Sequence, residues 1–319
     1  MQRLSRLPSA GGFSIDNTMH VLVTGGCGFI GSHVVDRLVA EGHRVTVLDD
    51  LSTGRRENLA AAATLVVGDV ADAATVQALV AAADAVVHLA AIASVQVCET
   101  QPERAERTNV TGTEHLFRAA AHKGIPMVYA SSAAVYGDNG NLPLRETETP
   151  SPLGAYGRHK LACEHIAAQY AGVASVGLRF FNVYGPRQDP RSPYSGVISK
   201  FMAQAVAGEP LIFFGDGEQT RDFIFVGDVV ALVMAALQHC TQHGGSHVLN
   251  GCTGKATSLK QLAAAIGRHV GKPLSSLHET PRAGDIRHSL GDPHAARILL
   301  GFHARTPLDA GLASLLGGE

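Results

Sequence analysis

Three residues in the middle of this 319-residue chain have the types and spacing to move a proton to and from an alcohol: Ser132, Tyr156 and Lys160. In the segment YGRHK, Tyr156 and Lys160 are four residues apart, so on a helix their side chains share one face. A phenol of reference pKa about 10 is a poor base at neutral pH unless a nearby cation favours its phenolate. Lys160 can be that cation. Ser131 and Ser132 follow the apolar run Pro126–Ala130 and so stand at the C-terminal end of an expected strand. The Tyr/Lys spacing also fits an exposed helical pair without function, so its weight depends on the rest of the chain.

The strongest supporting stretch is 20–31, HVLVTGGCGFIG, an apolar run that stops at glycines and passes straight into apolar residues at helical spacing. It reads as a strand at His20–Thr24, a tight turn, and a helix at Phe29–Ala40. Gly25, Gly28 and Gly31 sit three apart, and Gly26-x-Gly28-x-x-Gly31 satisfies the dinucleotide fingerprint in the neighbouring frame. Either frame supplies a tight turn, close backbone approach to a pyrophosphate, and close helix-on-strand packing. The helix N-terminus then offers free N–H groups and partial positive charge to an anion. The next strand, Arg44–Leu48, ends in Asp49, about where a ribose-binding acid is expected. With Asp50 beside it, that carboxylate would accept both ribose hydroxyls and repel a 2′-phosphate, which favours NAD over NADP. Arg55 and Arg56 read as solvated loop charges.

These groups need a scaffold, and the chain is long enough to bury a large core. Hydrophobic residues make up 45% and charged residues 17%, an ordinary globular balance. A net charge of −2 gives no electrostatic case for nucleic acid or an anionic membrane. No apolar run approaches the length that spans a bilayer, and the expected setting is cytoplasmic. Cys27, Cys98, Cys163, Cys240 and Cys252 are scattered and odd in number, with no C-x-x-C pair, so buried reduced thiols are expected. The histidines show no H-E-x-x-H or similar spacing, and no metal is expected. Residues 1–18 lack the apolar core of a signal peptide and read as a disordered or tag-like extension.

Along the chain, strands at Leu65–Val67, Ala85–Leu89, Pro126–Ala130 and Val176–Phe181 alternate with helices at 72–83, 102–123 and 153–172, the first of them capped by Asp72. Repeated units of this kind close as a parallel sheet with helices on both faces, because crossovers are right-handed. The expected fold is therefore α/β: a doubly wound parallel sheet of Rossmann type over 19–182, with a smaller C-terminal α/β substrate domain mainly at 183–319. Segments near 222–252 should return to the first domain, with a final strand at His247–Asn250. A helix over 192–208, a strand and turn at 210–217, and helices from Asp292 and Pro307 complete the second.

The segments TGGCGFIGSH, VLDDLSTG, GDV, HLAAIASV, NVTGT, YASSAAVYG, YGRHK and LRFFNVYGPR together resemble the extended short-chain dehydrogenase/reductase family. Within it the resemblance is closest to UDP-sugar 4-epimerases, particularly the bacterial UDP-glucose and UDP-N-acetylglucosamine enzymes. The resemblance implies Ser132, Tyr156 and Lys160 as the catalytic set. It assigns the pyrophosphate turn of NAD to Gly25, Gly28, Phe29, Ile30 and Gly31, and the adenosine end to Asp49, Asp50, Ser52, Thr53, Gly54, Asp69 and Val70. Leu89, Ala90, Ala91, Asn109, Ser131 and Phe181 would complete the cofactor site together with Tyr156 and Lys160. A UDP-sugar would be held by Ser132, Asn182, Val197, Arg221, Arg282 and Asp285, the arginines gripping phosphate as bidentate forks. Ser289 matches a position where some relatives carry a bulky tyrosine against the sugar's 2-substituent, so N-acetylated sugars are expected to fit as well. A homodimer through the helices containing Asn109 and Tyr156 is also implied.

Relatives draw other outcomes from the same 4-keto sugar. The family's dehydratases place Asp-Glu directly after the catalytic hydroxyl, whereas Ala133 and Ala134 stand here. Uronate epimerisation or decarboxylation would need a site for the sugar carboxylate, which the sequence does not reveal. A non-enzymatic nucleotide sensor is the reading from a different class. Two departures from the commonest epimerase pattern, Ala93 for a lysine and Phe223 for a tyrosine, leave the reacting set untouched.

Overall fold

The computed structural model describes residues 18–189, 196–281 and 285–316. The extension anticipated at the N-terminus lies outside them, apart from Thr18. Strands β1 (His20–Thr24), β2 (Arg44–Asp49), β3 (Thr64–Val67), β4 (Ala85–His88), β5 (Met127–Ser132) and β6 (Ser175–Phe180) are laid down first. The chain then leaves through β7 (Asn182–Tyr184), β8 (Leu211–Phe214) and β9 (Thr220–Phe225), returns for β10 (Ser246–Gly251), and ends with β11 (Ala256–Ser258) and β12 (Ser276–Glu279). The central sheet runs β10-β6-β5-β4-β1-β2-β3 with every pair parallel.

Its strands are apolar on both faces, as a sheet covered on two sides requires. Val21, Val23, Val47, Val87 and Val128 point to one layer, where α1 (Phe29–Ala40) covers them with Val34, Val35 and Leu38. Leu22, Leu48, Val86, Met127 and Tyr129 point the other way, against α2 (Ala73–Ala82) and two later helices. Asp72 caps α2 as expected, accepting from Ala74 and Thr75 N–H. The α/β doubly wound reading of the sequence is the observed architecture.

Two stretches depart from expectation. Residues 95–100 form α3 (Val95–Thr100), too short for its period to be visible in VQVCET. The single helix anticipated over 102–123 is instead α4 (Pro102–Glu106), a π-helical turn Arg107–Thr111, and α5 (Gly112–Lys123). The π turn carries Asn109 inward, and Gly112 presses on the strand loop so closely that a Cβ would lie 2.6 Å from Val70 Cγ2. Next, α6 (Ala155–Gln169) begins two residues later than expected and carries Tyr156 in its first turn.

The smaller layer has its own core. Helix α7 (Val197–Ala207) gives Ile198, Phe201 and Met202, which pack with Leu211, Phe213 and Phe223. The first residues of the helix expected over 192–208 lie outside the described residues. Strands β11, β9 and β7 make one small sheet, and β12 with β8 another. Helix α8 (Val226–His243) returns to cover the first face of the central sheet beside α1. Helices α9 (Leu259–Val270), α10 (His294–Leu300) and α11 (Leu308–Leu316) finish the chain. Among the described residues no helix is long and apolar enough to cross a membrane.

At Gly177 in β6 an added Cβ would lie 2.4 Å from the hydroxyl of Tyr129, whose side chain is fully buried. Overpacking of this kind typically costs about 1–3 kcal/mol. Gly177→Ala should lower the thermal midpoint accordingly, and an unchanged midpoint would mean the ring is free to swing aside.

Candidate active site

The strand order reverses between β1 and β4, and the crevice there opens at the C-terminal ends of the strands. Gly25 leaves β1 with φ +71°, and its N–H donates to Leu48 O at 2.9 Å. Gly31 lies so close beneath it that a Cβ would fall 2.1 Å from Gly25 O. At Gly26 a Cβ would lie 2.7 Å from both methyls of the buried Val47, and at Gly25 it would lie 2.7 Å from Ala90 N, so both frames of the fingerprint are closely packed. Gly28 caps α1 without a side-chain hydrogen bond, which leaves the first N–H groups of the helix for an anion.

Asp49 closes the far end of this turn. Its Oδ2 accepts Cys27 N–H and its Oδ1 accepts Leu51 N–H, both at 2.9 Å, and each oxygen keeps a lone pair for a ribose hydroxyl. Burial raises its pKa, opposed by those two backbone donors. Every residue assigned to the cofactor from sequence, except Asn109, lines one cavity of about 390 Å³. A glycine cradle, an uncapped helix N-terminus and a buried acid fit a dinucleotide of the NAD type.

Asn109 acts from behind the wall. Its side-chain oxygen accepts Ile92 N–H at 2.8 Å and its Nδ2 donates to Ile92 O at 3.0 Å. It thus clamps the loop after β4 instead of facing the cavity. Beneath that loop, His88 joins Thr24 Oγ1 at 2.7 Å to Thr113 Oγ1 at 2.9 Å. Burial, helped by the charge of Lys160, pushes the His88 pKa down to about 3, so the ring is neutral. Cys27, in the glycine turn, has its thiol pushed up to about 11 by burial and then Asp49, and all five cysteines are buried.

Ser132, Tyr156 and Lys160 line the same cavity. Ser132 Oγ accepts Ala134 N–H at 3.2 Å, which leaves its own hydrogen for an acceptor in the cavity. Lys160 is 3% exposed, and its ammonium donates to Ala130 O at 2.8 Å and lies 5.9 Å from the centre of the Tyr156 ring. The sequence pattern and the spatial cluster therefore coincide for this set.

The residues assigned to the sugar nucleotide lie elsewhere, Ser132 apart. Arg221 Nη2 donates to Asp285 at 2.7 Å, and Ser289 N–H donates to Thr220 O at 3.1 Å, so these three gather around the start of β9. Asn182 Nδ2 donates to Asp222 O at 3.2 Å, and Val197 opens α7. None of them lines the cofactor cavity, and Arg282 lies outside the described residues. Sequence reasoning passed over Arg187, Gln188 and Asp189, which do line it. This strap is tied down by Arg187 to Asp36 at 2.8 Å, by His33 Nε2 to Pro186 O at 3.0 Å, and by Asp189 to Arg55. Arg55 is half exposed, a loop charge as anticipated, and it pairs with Asp189 across the strap. The signal was available in GPRQD, a turn with opposite charges placed just beyond the sixth strand.

A doubly wound sheet with a glycine turn and a buried acid at its switch point defines a Rossmann-type dinucleotide-binding fold. More narrowly, the chain belongs to the NAD dependent epimerase/dehydratase family, whose model matches residues 21–251. It is 39% identical over 307 residues to UDP-glucose 4-epimerase of Mycolicibacterium smegmatis, covering 92% of this chain and 96% of that protein. A Thermotoga maritima UDP-glucose 4-epimerase solved with UDP-glucose superposes with a TM-score of 0.87 at 36% identity, covering 93% and 97% of the two chains. UDP-glucuronic acid decarboxylase 4 of Arabidopsis thaliana is 34% identical, with 98% of this chain and 72% of that protein covered.

Two measurements test the site. Gly31→Ala should severely weaken NAD binding, since the added methyl meets backbone; an unchanged NAD affinity would refute the turn. For His88 the folded pKa lies below the unfolded one, so the unfolded chain binds the extra proton and stability falls as pH drops from 6.5 towards 3. At pH 5 the wild type should have lost about 2 kcal/mol relative to neutral pH that His88→Gln does not lose, from a folded pKa of about 3 and an unfolded one of 6.5. Parallel stability curves for the two proteins would contradict the assignment.

Proposed function

We propose that the protein is a NAD-dependent UDP-hexose 4-epimerase that interconverts UDP-glucose with UDP-galactose and their N-acetylated counterparts. The observation that carries this reading is that Ser132, Tyr156 and Lys160 face the same cavity as the dinucleotide cradle. Tyr156 Oη takes the proton of the sugar 4-hydroxyl and later returns it. Lys160 supplies the positive charge against which that phenolic proton is lost, and Ser132 donates its hydroxyl hydrogen to the same sugar oxygen. NAD, when bound, supplies a nicotinamide that accepts a hydride and gives it back. The 4-keto sugar has to turn over between the two transfers, so the protein must grip the diphosphate and leave the hexose loose. Arg221 and Asn182, with Arg282 carried over from the resemblance, are proposed for that grip, the two arginines within a nucleotide-sugar-binding region mainly at 183–319 and Asn182 at its border with the first domain.

Ala91, Ile92, Ala93, Phe181 and Val183 are among the residues lining the cavity, as is Arg187. Ala133 and Ala134 after Ser132 argue against dehydration.

Conversion of UDP-galactose to UDP-glucose without added reductant is the direct assay; no conversion, with UDP-glucuronate consumed instead, would replace this reading. Tyr156→Phe should remove most turnover while UDP binding persists. Ser289→Tyr should cut the N-acetyl rate relative to the plain-hexose rate, and an unchanged ratio would end the gate assignment.

A further inference from the structure

A buried ion pair lies behind the triad. Glu164 is on α6, one turn past Lys160 and two past Tyr156, and faces Arg179 on β6. Arg179 Nε donates to Glu164 Oε1 at 2.9 Å and Nη2 donates to Oε2 at 2.8 Å, with the side chains 5% and 7% exposed. Ser131 Oγ donates to the same Oε1 at 2.5 Å. On its other side the guanidinium lies over the Tyr136 ring, 4.7 Å from its centre, and Tyr136 Oη donates to Asn250 at 2.6 Å. Ser131 and Tyr136 bracket the turn that contains Ser132. One pair therefore grips the helix bearing Tyr156 and Lys160 and both ends of the segment bearing Ser132.

Stability is a weak reason for such a pair, because desolvating two charges offsets most of their attraction and apolar residues would often serve as well. A bidentate fork does fix distance and angle, which apolar packing fixes less well. We infer that Glu164 and Arg179 are positioning residues that set the Ser132 hydroxyl against Tyr156 and Lys160. This rests on the epimerase reading above, with the pair itself touching neither sugar nor cofactor.

The test uses the NAD-loaded protein with Arg179→Lys, which keeps the charge but loses the fork, and Glu164→Gln as a second variant. Each is assayed on whichever of UDP-glucose, UDP-N-acetylglucosamine and UDP-glucuronate the unaltered protein converts fastest. The expected result is a fall in kcat of about 10²-fold, the scale of a 1 Å misplacement. KM and NAD content should stay within about two-fold, and Arg179→Lys should cost little more once Ser132→Ala is present, since groups acting as a unit are not additive. Full turnover in Arg179→Lys overturns the inference, as does a joint loss of NAD, thermal stability and turnover in both variants. A second readout needs no substrate: the alkaline ultraviolet tyrosinate signal of Tyr156, obtained by subtracting Tyr156→Phe, should shift its midpoint in Arg179→Lys. If the unaltered protein converts none of the sugars, the epimerase reading fails; a shifted midpoint then still upholds the positioning role and an unshifted one overturns it.

Discussion

A parallel sheet delivers the C-terminal ends of all its strands to one edge, and a reversal of strand order parts the loops there. That constraint governs this molecule. The cofactor-cavity residues follow the ends of β1, β2, β3, β4, β5 and β6, and the crossing helices that cover the sheet bring Tyr156 and Lys160 to the same rim. The inner strands β1, β4, β5 and β6 are buried on both faces, between two layers of helices. The apolar layers thus fix the positions of the polar edge, although they share no atoms with the chemistry proposed for it.

Charge at that edge is handled by burial and by specific partners. His88 sits between two threonines as a neutral ring, so it joins β1, β4 and α5 by hydrogen bonds without placing a second cation beside Lys160. Lys160 is as deeply buried but keeps a backbone carbonyl, leaving its ammonium hydrogens beyond that bond for the cavity. Asp49 is treated in the same manner, with two backbone donors holding its carboxylate in place. For Lys160 and Asp49 the main chain supplies the partner, which makes the position of each group a property of the fold.

Much of this was legible in the sequence because the signals were local. The glycine spacing, the acid after the second strand, and Tyr156 four residues ahead of Lys160 all lie within single strand–helix units, whose periods and turns are written in consecutive residues. The π turn at Arg107–Thr111 was not legible in consecutive residues, nor was the placement of Asn109, whose side chain pairs with Ile92 in a loop seventeen residues earlier in the chain. The pattern marks Asn109 but not the direction in which it faces. The strap at 186–189 escaped because its partners, Asp36 and Arg55, belong to elements far away in sequence.

The ionic contacts around the cavity also differ in strength according to where they lie. Arg187 with Asp36 and Arg55 with Asp189 are partly exposed, and pairs of that kind contribute about 0–1 kcal/mol. Breaking a buried pair such as Glu164 with Arg179 by removing one partner costs about 3–5 kcal/mol. Arg221 falls between these cases. Its guanidinium is largely buried against Asp285, and burial already draws its pKa down. Most of the desolvation that a diphosphate would otherwise impose on this arginine is therefore met in the folded protein, and an arriving anion competes with a single carboxylate for a cation already stripped of water. Strong binding of the diphosphate and a free hexose can then coexist, because the proposed grip is taken on the diphosphate and not on the ring that has to turn.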